Sequence, residues 1–214
     1  MGSNLTLDLR PPYDPTTFIG KSNIMTLDGC LCKKMGSRGD IHEIATAVMA
    51  QMRHDESKLI RQLRQLIKHD CSLACLVFST DIEGWTPIHA CALRGSRRLL
   101  KLMLRAKVDI NIRMGHPSGL PAHCSLLHIA AHRGDQKITE LLVSRGISLN
   151  AKDSTGRTAI RYASEACHTH IVRYLTRKGA DTTNVVIKDV FKVDCMTPQP
   201  KLTKFCFLPV KCTT

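Results

Sequence analysis

The chain has 214 residues, a formal net charge of +13 and 43% hydrophobic residues, of which few are aromatic. That is enough apolar material for a core, so wholesale disorder is excluded, and an apolar palette of Leu, Ile, Ala and Val suits helix packing better than a β-sandwich. No run approaches the roughly 18–20 apolar residues that span a bilayer, and the first ten residues lack the charged start and apolar run of a secretory signal. A reducing compartment, cytoplasmic or nuclear, is therefore expected. There the ten scattered cysteines are free thiols and small apolar fillers.

Residues 1–40 are predicted to be irregular, because Pro11, Pro12, Pro15 and several glycines interrupt any pattern. Residues 41–70 predict helix, with Leu59, Leu63, Leu66 and Ile67 on one face and Lys58, Arg61, Arg64 and Lys68 elsewhere. Residues 71–80 are expected to complete this helical segment, 41–80 overall, and to connect it to residue 81.

From residue 81 the chain repeats. Asp81-Ile-Glu-Gly-Trp-Thr-Pro-Ile-His-Ala-Cys-Ala-Leu-Arg-Gly95 aligns with Ser125-Leu-Leu-His-Ile-Ala-Ala-His-Arg-Gly134 and with Asp153-Ser-Thr-Gly-Arg-Thr-Ala-Ile-Arg-Tyr-Ala163. Each copy is followed by a second apolar helical stretch, at 99–104, 138–143 and 171–175. Ser125 to Thr158 and Gly146 to Gly179 are both 33 residues, whereas Thr86 to Ser125 and Asn111 to Asn150 are both 39. Six extra residues therefore sit between Ile112 and Ser125. The local chemistry fits short stacked helices. Thr86-Pro87 can open a helix, Ala90, Cys91 and Ala92 permit close approach, and Gly95 and Gly134 can end one. Residues 185–214 predict a strand over 185–193, followed by a proline-interrupted tail.

The period of 33 with a Thr-Pro-Ile-His start resembles the ankyrin-repeat family. Asp81, Gly84, Thr86, Pro87, His89, Ala92, Gly95, Asp109 and Asn111 carry the resemblance in the first copy. His128, Ala130, Ala131, Gly134, Gly146 and Asn150 carry it in the second, and Asp153, Gly156, Thr158, Ala163, Gly179, Ala180 and Asp181 in the third. The resemblance implies an all-α solenoid of stacked helix pairs with short β-hairpin tips. Its repeats would cover 81–113, 114–152 and 153–184, and 41–80 would serve as an N-terminal cap with a polar outer face. Three departures weaken the pattern: Lys107 and Cys167 stand where it wants glycine, and Arg161 replaces the histidine. The turn after the first repeat's second helix should be altered as a result.

The resemblance also implies binding of another protein through a concave face of tips and first helices. The positions that fall there are Ile82, Glu83, Trp85, Leu93 and Arg94, then Ile129, His132 and Arg133, then Arg157, Tyr162 and Glu165. Trp85, the only tryptophan, is the best single anchor, since tryptophan and arginine dominate interface energetics. The competing reading is that it packs against its neighbouring repeat. Residues 81–184 hold sixteen basic and eight acidic residues, which favours an acidic partner. No aromatic platform accompanies that charge, which argues against nucleic acid.

Other constellations yield to simpler readings. His116, His123, Cys124, His128 and His132 are metal-ligating types, but their spacing matches no zinc pattern, and no metal or cofactor is expected. Cys91 and His89 lie two apart in one helix, on different faces, and no phosphate loop or nucleophile elbow occurs, so no enzyme activity and no small-molecule substrate are expected. The Arg38-Gly39-Asp40 tripeptide is taken as chance. Two alternatives to an adaptor remain open. Met1-Gly2-Ser3-Asn4-Leu5-Thr6 fits an N-myristoylation pattern at Gly2, with Cys30 and Cys32 as further acylation sites and the basic helix of 57–68 to touch anionic lipid. The chain could also be the substrate-recognition subunit of a larger complex such as a ubiquitin ligase.

Overall fold

A computed structural model describes residues 38–183, except 118–120. The expectations for Gly2, Cys30, Cys32 and the strand at 185–193 lie outside the described residues. The described residues form nine helices and no sheet. The expected hairpins are reduced to isolated bridges, Ile82 with Trp85, Arg113 with Ser125 and Lys152 with Thr158.

The N-terminal segment differs from the expected helix and connector. It contains three helices: α1, Arg38–Gln51; α2, Glu56–His69; and α3, Cys71–Ser79. Two aspartates make the breaks. Asp55 has extended backbone and accepts a hydrogen bond from the Lys58 amide at 2.9 Å, which starts α2. Asp70 closes α2 by donating its own amide to the Leu66 carbonyl, and starts α3 by accepting from the Leu73 amide at 2.9 Å. Residues 71–79 are apolar on most sides and so give no amphipathic signal. They fold as a helix because Ala74, Val77 and Phe78 are buried in the core.

Three helix pairs follow: α4, Pro87–Arg94, with α5, Arg97–Met103; α6, Leu126–Arg133, with α7, Gln136–Ser144; and α8, Ala159–Glu165, with α9, Thr169–Arg177. Contacts run α1–α4–α6–α8 along an inner row and α2–α5–α7–α9 along an outer row. The N-terminal helices therefore stack on the first repeat as another pair would. One apolar cluster runs unbroken from Ile44 to Ala180. No repeat could bury this face alone, and stacking makes the core continuous.

Two of the three departures keep the backbone of the residue they replace. Lys107 adopts a left-handed φ of 59°, beside 81° and 89° at Gly146 and Gly179, and Cys167 one of 58°, beside 77° and 71° at Gly95 and Gly134. The alteration expected at Lys107 falls one step earlier, where α5 tightens into a 3-10 turn at Leu104–Ala106. The capping expected of Thr86 is also redirected. Its hydroxyl meets His89 Nδ1 at 2.6 Å instead of a backbone amide.

Candidate functional site

The tips form one edge of the solenoid. In the first tip Ile82 and Trp85 exchange two backbone hydrogen bonds, at 2.7 and 2.9 Å. Glu83 and Gly84 both take positive φ, 52° and 85°, as a tight two-residue turn requires. Asp81 Oδ1 accepts from the Gly84 amide at 2.6 Å.

The enlarged second tip is held on both sides. Its strands are tied where the Met114 amide donates to the Cys124 carbonyl at 2.9 Å, and the His123 amide to the Met114 carbonyl at 3.2 Å. The Gly115 amide donates to the Gly84 carbonyl at 3.1 Å, and the Ser154 amide to the Ala122 carbonyl at 2.9 Å. Met114, Pro117, Ala122 and Cys124 are buried. A Cβ on Gly84 would lie 2.2 Å from the Pro117 nitrogen, so this close approach requires glycine. The insertion thus joins the first and third tips, where family geometry alone suggests a loop outside the core.

The predicted face residues divide three ways. Glu83, Arg94, Arg133 and Glu165 are exposed, and Leu93, His132 and Arg157 are half-buried. Ile82, Trp85, Ile129 and Tyr162 are buried, Trp85 and Tyr162 each at 4% exposure. Trp85 belongs to the core cluster, which removes its ring from the surface that an anchor needs. Arg133 donates to the Leu93 carbonyl of the preceding repeat. Arg157 and Arg161 share Glu165, at 3.3 and 2.9 Å.

A buried polar network between the second and third repeats is not legible in the sequence. Asp153 accepts hydrogen bonds from the Tyr162 hydroxyl at 2.7 Å, from the Thr155 hydroxyl and from the amides of Thr155 and Arg157. Burial raises the Asp153 pKa, but these hydrogen bonds outweigh it and hold the carboxyl below its ordinary value. Tyr162 is pushed up, chiefly by burial and then by the bond to Asp153. Its ring stands edge-on to His128, 5.4 Å between centroids. His128 Nδ1 accepts from the Ser125 amide at 3.1 Å and faces the Ser125 hydroxyl at 2.7 Å, while Nε2 meets the Arg157 carbonyl at 3.0 Å. The Nε2–H tautomer satisfies all three. In the first repeat His89 keeps the equivalent Nδ1 contact. Its Nε2 faces the Ile112 and Cys124 carbonyls but reaches no partner in hydrogen-bonding geometry among the described residues.

Two of the metal-ligating types of the sequence, His128 and Cys124, sit in the buried network. Both nitrogens of His128 are engaged, and burial pushes the Cys124 thiol up to about 11. His116 and His123 are left as an exposed edge-to-face pair, 5.3 Å apart. Among the described residues no three His, Cys, Asp or Glu side chains converge as metal ligands would. Burial also pushes the Cys91 thiol up, away from the thiolate that nucleophilic catalysis uses. No helix among the described residues is long and apolar enough to cross a membrane.

Comparison with known proteins agrees with this architecture. Family models described as ankyrin repeats match residues 83–114 and 116–185. The chain is an ankyrin-repeat protein, and its repeats constitute a protein-interaction module. It is 30% identical to the ADP-ribosylation factor GTPase-activating protein AGD4 of Arabidopsis thaliana over 129 residues, covering 58% of this chain and 16% of that protein. It is 30% identical over 125 residues to human ankyrin repeat and SOCS box protein 16, covering 52% of this chain and 26% of the relative. With mouse protein phosphatase 1 regulatory subunit 12A it shares 24% identity over 132 residues, covering 60% and 12%. The chain thus spans about a quarter or less of the length of these relatives.

Proposed function

We propose that the chain is a non-enzymatic adaptor or regulator of the cytoplasm that binds an acidic protein through its tips and the exposed ends of its inner helices. The observation that carries this reading is the stacking of three tips through backbone hydrogen bonds, Gly115 to Gly84 and Ser154 to Ala122. That stacking holds Glu83, Arg94, Arg133 and Glu165 at exposed positions on a fixed scaffold. A preorganised face loses less entropy on binding than a loop does. The excess of sixteen basic over eight acidic residues in 81–184 favours an acidic partner and makes binding sensitive to salt.

The test is affinity purification of partners from cells with the full chain and a Glu83→Arg/Arg94→Glu variant. Both positions are exposed, so the variant should melt with the wild type. Partners that are lost with the variant support the reading. An unchanged partner set with both proteins overturns it, as does binding that is flat from low to high salt.

A further inference from the structure

Away from the tip residues, α2 and α5 border an open groove of about 660 Å³. Arg61 and Arg64 line it from α2, Arg98 and Lys101 from α5, and Arg105 from the 3-10 turn that follows α5. The pairs Arg61/Arg64 and Arg98/Lys101 are each spaced i, i+3, so each pair occupies one face of its helix, and Arg105 lines the same groove from the turn beyond α5. All five are exposed, and none has an ion pair or side-chain hydrogen bond among the described residues. No acidic side chain lines the groove. Glu56, at the start of α2, faces Ser96 at 3.5 Å. Leu102 and Ile60 give it a partly apolar floor.

A charged helix face is ordinarily a solvated one with both signs interleaved. The third repeat shows that pattern, where Glu165 serves both Arg157 and Arg161. Five like charges on two facing walls instead repel one another, and a bound anion relieves that repulsion beyond what water and salt screen. Four of the five are arginines, whose planar forks match the oxygens of phosphate or carboxylate. The volume falls within the range of small-ligand sites, about 300–1,000 Å³. The cations occupy both walls over only about 10 Å of helix. Anionic groups radiating from a compact body can reach both walls at once. An extended acidic peptide would run along one wall and leave the other unsatisfied.

We propose that this groove binds clustered phosphates, carried by a soluble polyphosphorylated molecule or by a polyphosphorylated lipid headgroup. The site is separate from the protein-binding face and does not depend on it. The full chain, titrated calorimetrically with inositol hexakisphosphate at physiological ionic strength, should bind one equivalent. An Arg64→Gln/Lys101→Gln variant should bind at least about tenfold more weakly, since a charge-assisted hydrogen bond contributes about 1.5–3 kcal/mol and 1.4 kcal/mol is tenfold. A Lys137→Gln/Arg145→Gln variant removes the same charge from exposed positions outside the groove and should leave affinity unchanged.

Sedimentation with vesicles separates the two sources. Retention on vesicles carrying phosphatidylinositol bisphosphate, and not on phosphatidylserine vesicles of equal charge, assigns the headgroup. Binding of the soluble probe without such retention assigns the free molecule. The proposal is overturned by the absence of saturable binding to both phosphate probes. Equal weakening in the two charge variants overturns it too, as does equal retention on both kinds of vesicle. Polyglutamate that competes as well as the polyphosphate would give the groove to an acidic peptide instead.

Discussion

The second and third repeats are built from the same helix pair, but they use equivalent positions differently. In the second, His128 sits inside the stack and ties Ser125 of its own repeat to the Arg157 carbonyl of the next. In the third, the equivalent Arg161 is exposed and pairs with Glu165, four residues on, in its own helix. The second ends its inner helix with Gly134, over which the His168 ring packs at 2.6 Å from where a Cβ would stand. The third ends its own with Cys167, strained at a φ of 58°. A position packed by a following repeat is thus specified by contacts across the interface. Among the described residues no helix pair stacks beyond α8 and α9, and there the pattern relaxes to local chemistry.

The largest test of this contrast uses glycines at equivalent tip positions. Gly84 and Gly156 have similar φ, 85° and 78°, but only Gly84 has a neighbouring backbone against it. Gly84→Ala should lose about 3–4 kcal/mol, combining left-handed strain with a clash against Pro117. Gly156→Ala should lose only about 1 kcal/mol, the strain alone. Urea unfolding of both variants measures this. Equal losses would mean that the second tip is not clamped against the first.

Next in size is the pair His128→Ala and Arg161→Ala. The first leaves the Ser125 amide without its partner, takes one of two donors from the Arg157 carbonyl, which keeps the Asp153 amide, and opens a cavity, costing about 2–3 kcal/mol. The second removes an exposed ion pair, within about 0.5 kcal/mol of neutral. Thermal unfolding of the two variants side by side would reverse the assignment if Arg161→Ala were the more damaging.

Acidification should act mainly on the first and second repeats. Burial lowers His89 from 6.5 to about 3 and His132 to about 4, and it lowers His128 as well. As pH falls below 6.5, the unfolded chain takes up these protons before the folded one does. Stability is therefore complete above that value and declines towards the folded values. His89 alone should account for a loss of about 2 kcal/mol between pH 7 and pH 5. Asp153, depressed in the folded state, adds to the loss only at lower pH, as its own carboxyl protonates. Urea midpoints across this range should fall for the wild type and fall less steeply in His89→Gln, where His132 and His128 still contribute. A parallel decline in that variant would place the effect elsewhere.

The smallest effect is a gain. Cys167→Gly should stabilise the chain by about 0.5–1 kcal/mol, because relief of the left-handed strain exceeds the added freedom of glycine in the unfolded state. Calorimetric melting detects it. A lower melting temperature would mean that the exposed cysteine makes a contact worth more than its strain.

Much of the repeat region is legible in the sequence, because Thr86, Ser125 and Thr158 recur in phase with glycines at the turns. The N-terminal segment is less so. Asp55 and Asp70 are ordinary capping residues, but both sit inside a stretch whose apolar spacing continues across them. Residues 71–79 lack the two-faced pattern that marks a surface helix. The face was legible only in part. Glu83 and Arg94 are exposed as their positions suggest, whereas Trp85 and Tyr162, in the same elements, turn inward.

The sequence by itself determined the period, the helix starts and stops within the repeats, the glycine turns and the basic excess. These depend on backbone preferences and charges that act within a few residues. Tertiary structure decided which side chains the interfaces consume, how the enlarged tip locks its neighbours, and that α2 and α5 bring their cations to one groove. Arg61 and Arg98 stand 37 residues apart in the chain. Only the stacking of one helix pair on the next, driven by burial of apolar surface that neither pair can hide alone, sets them on facing walls.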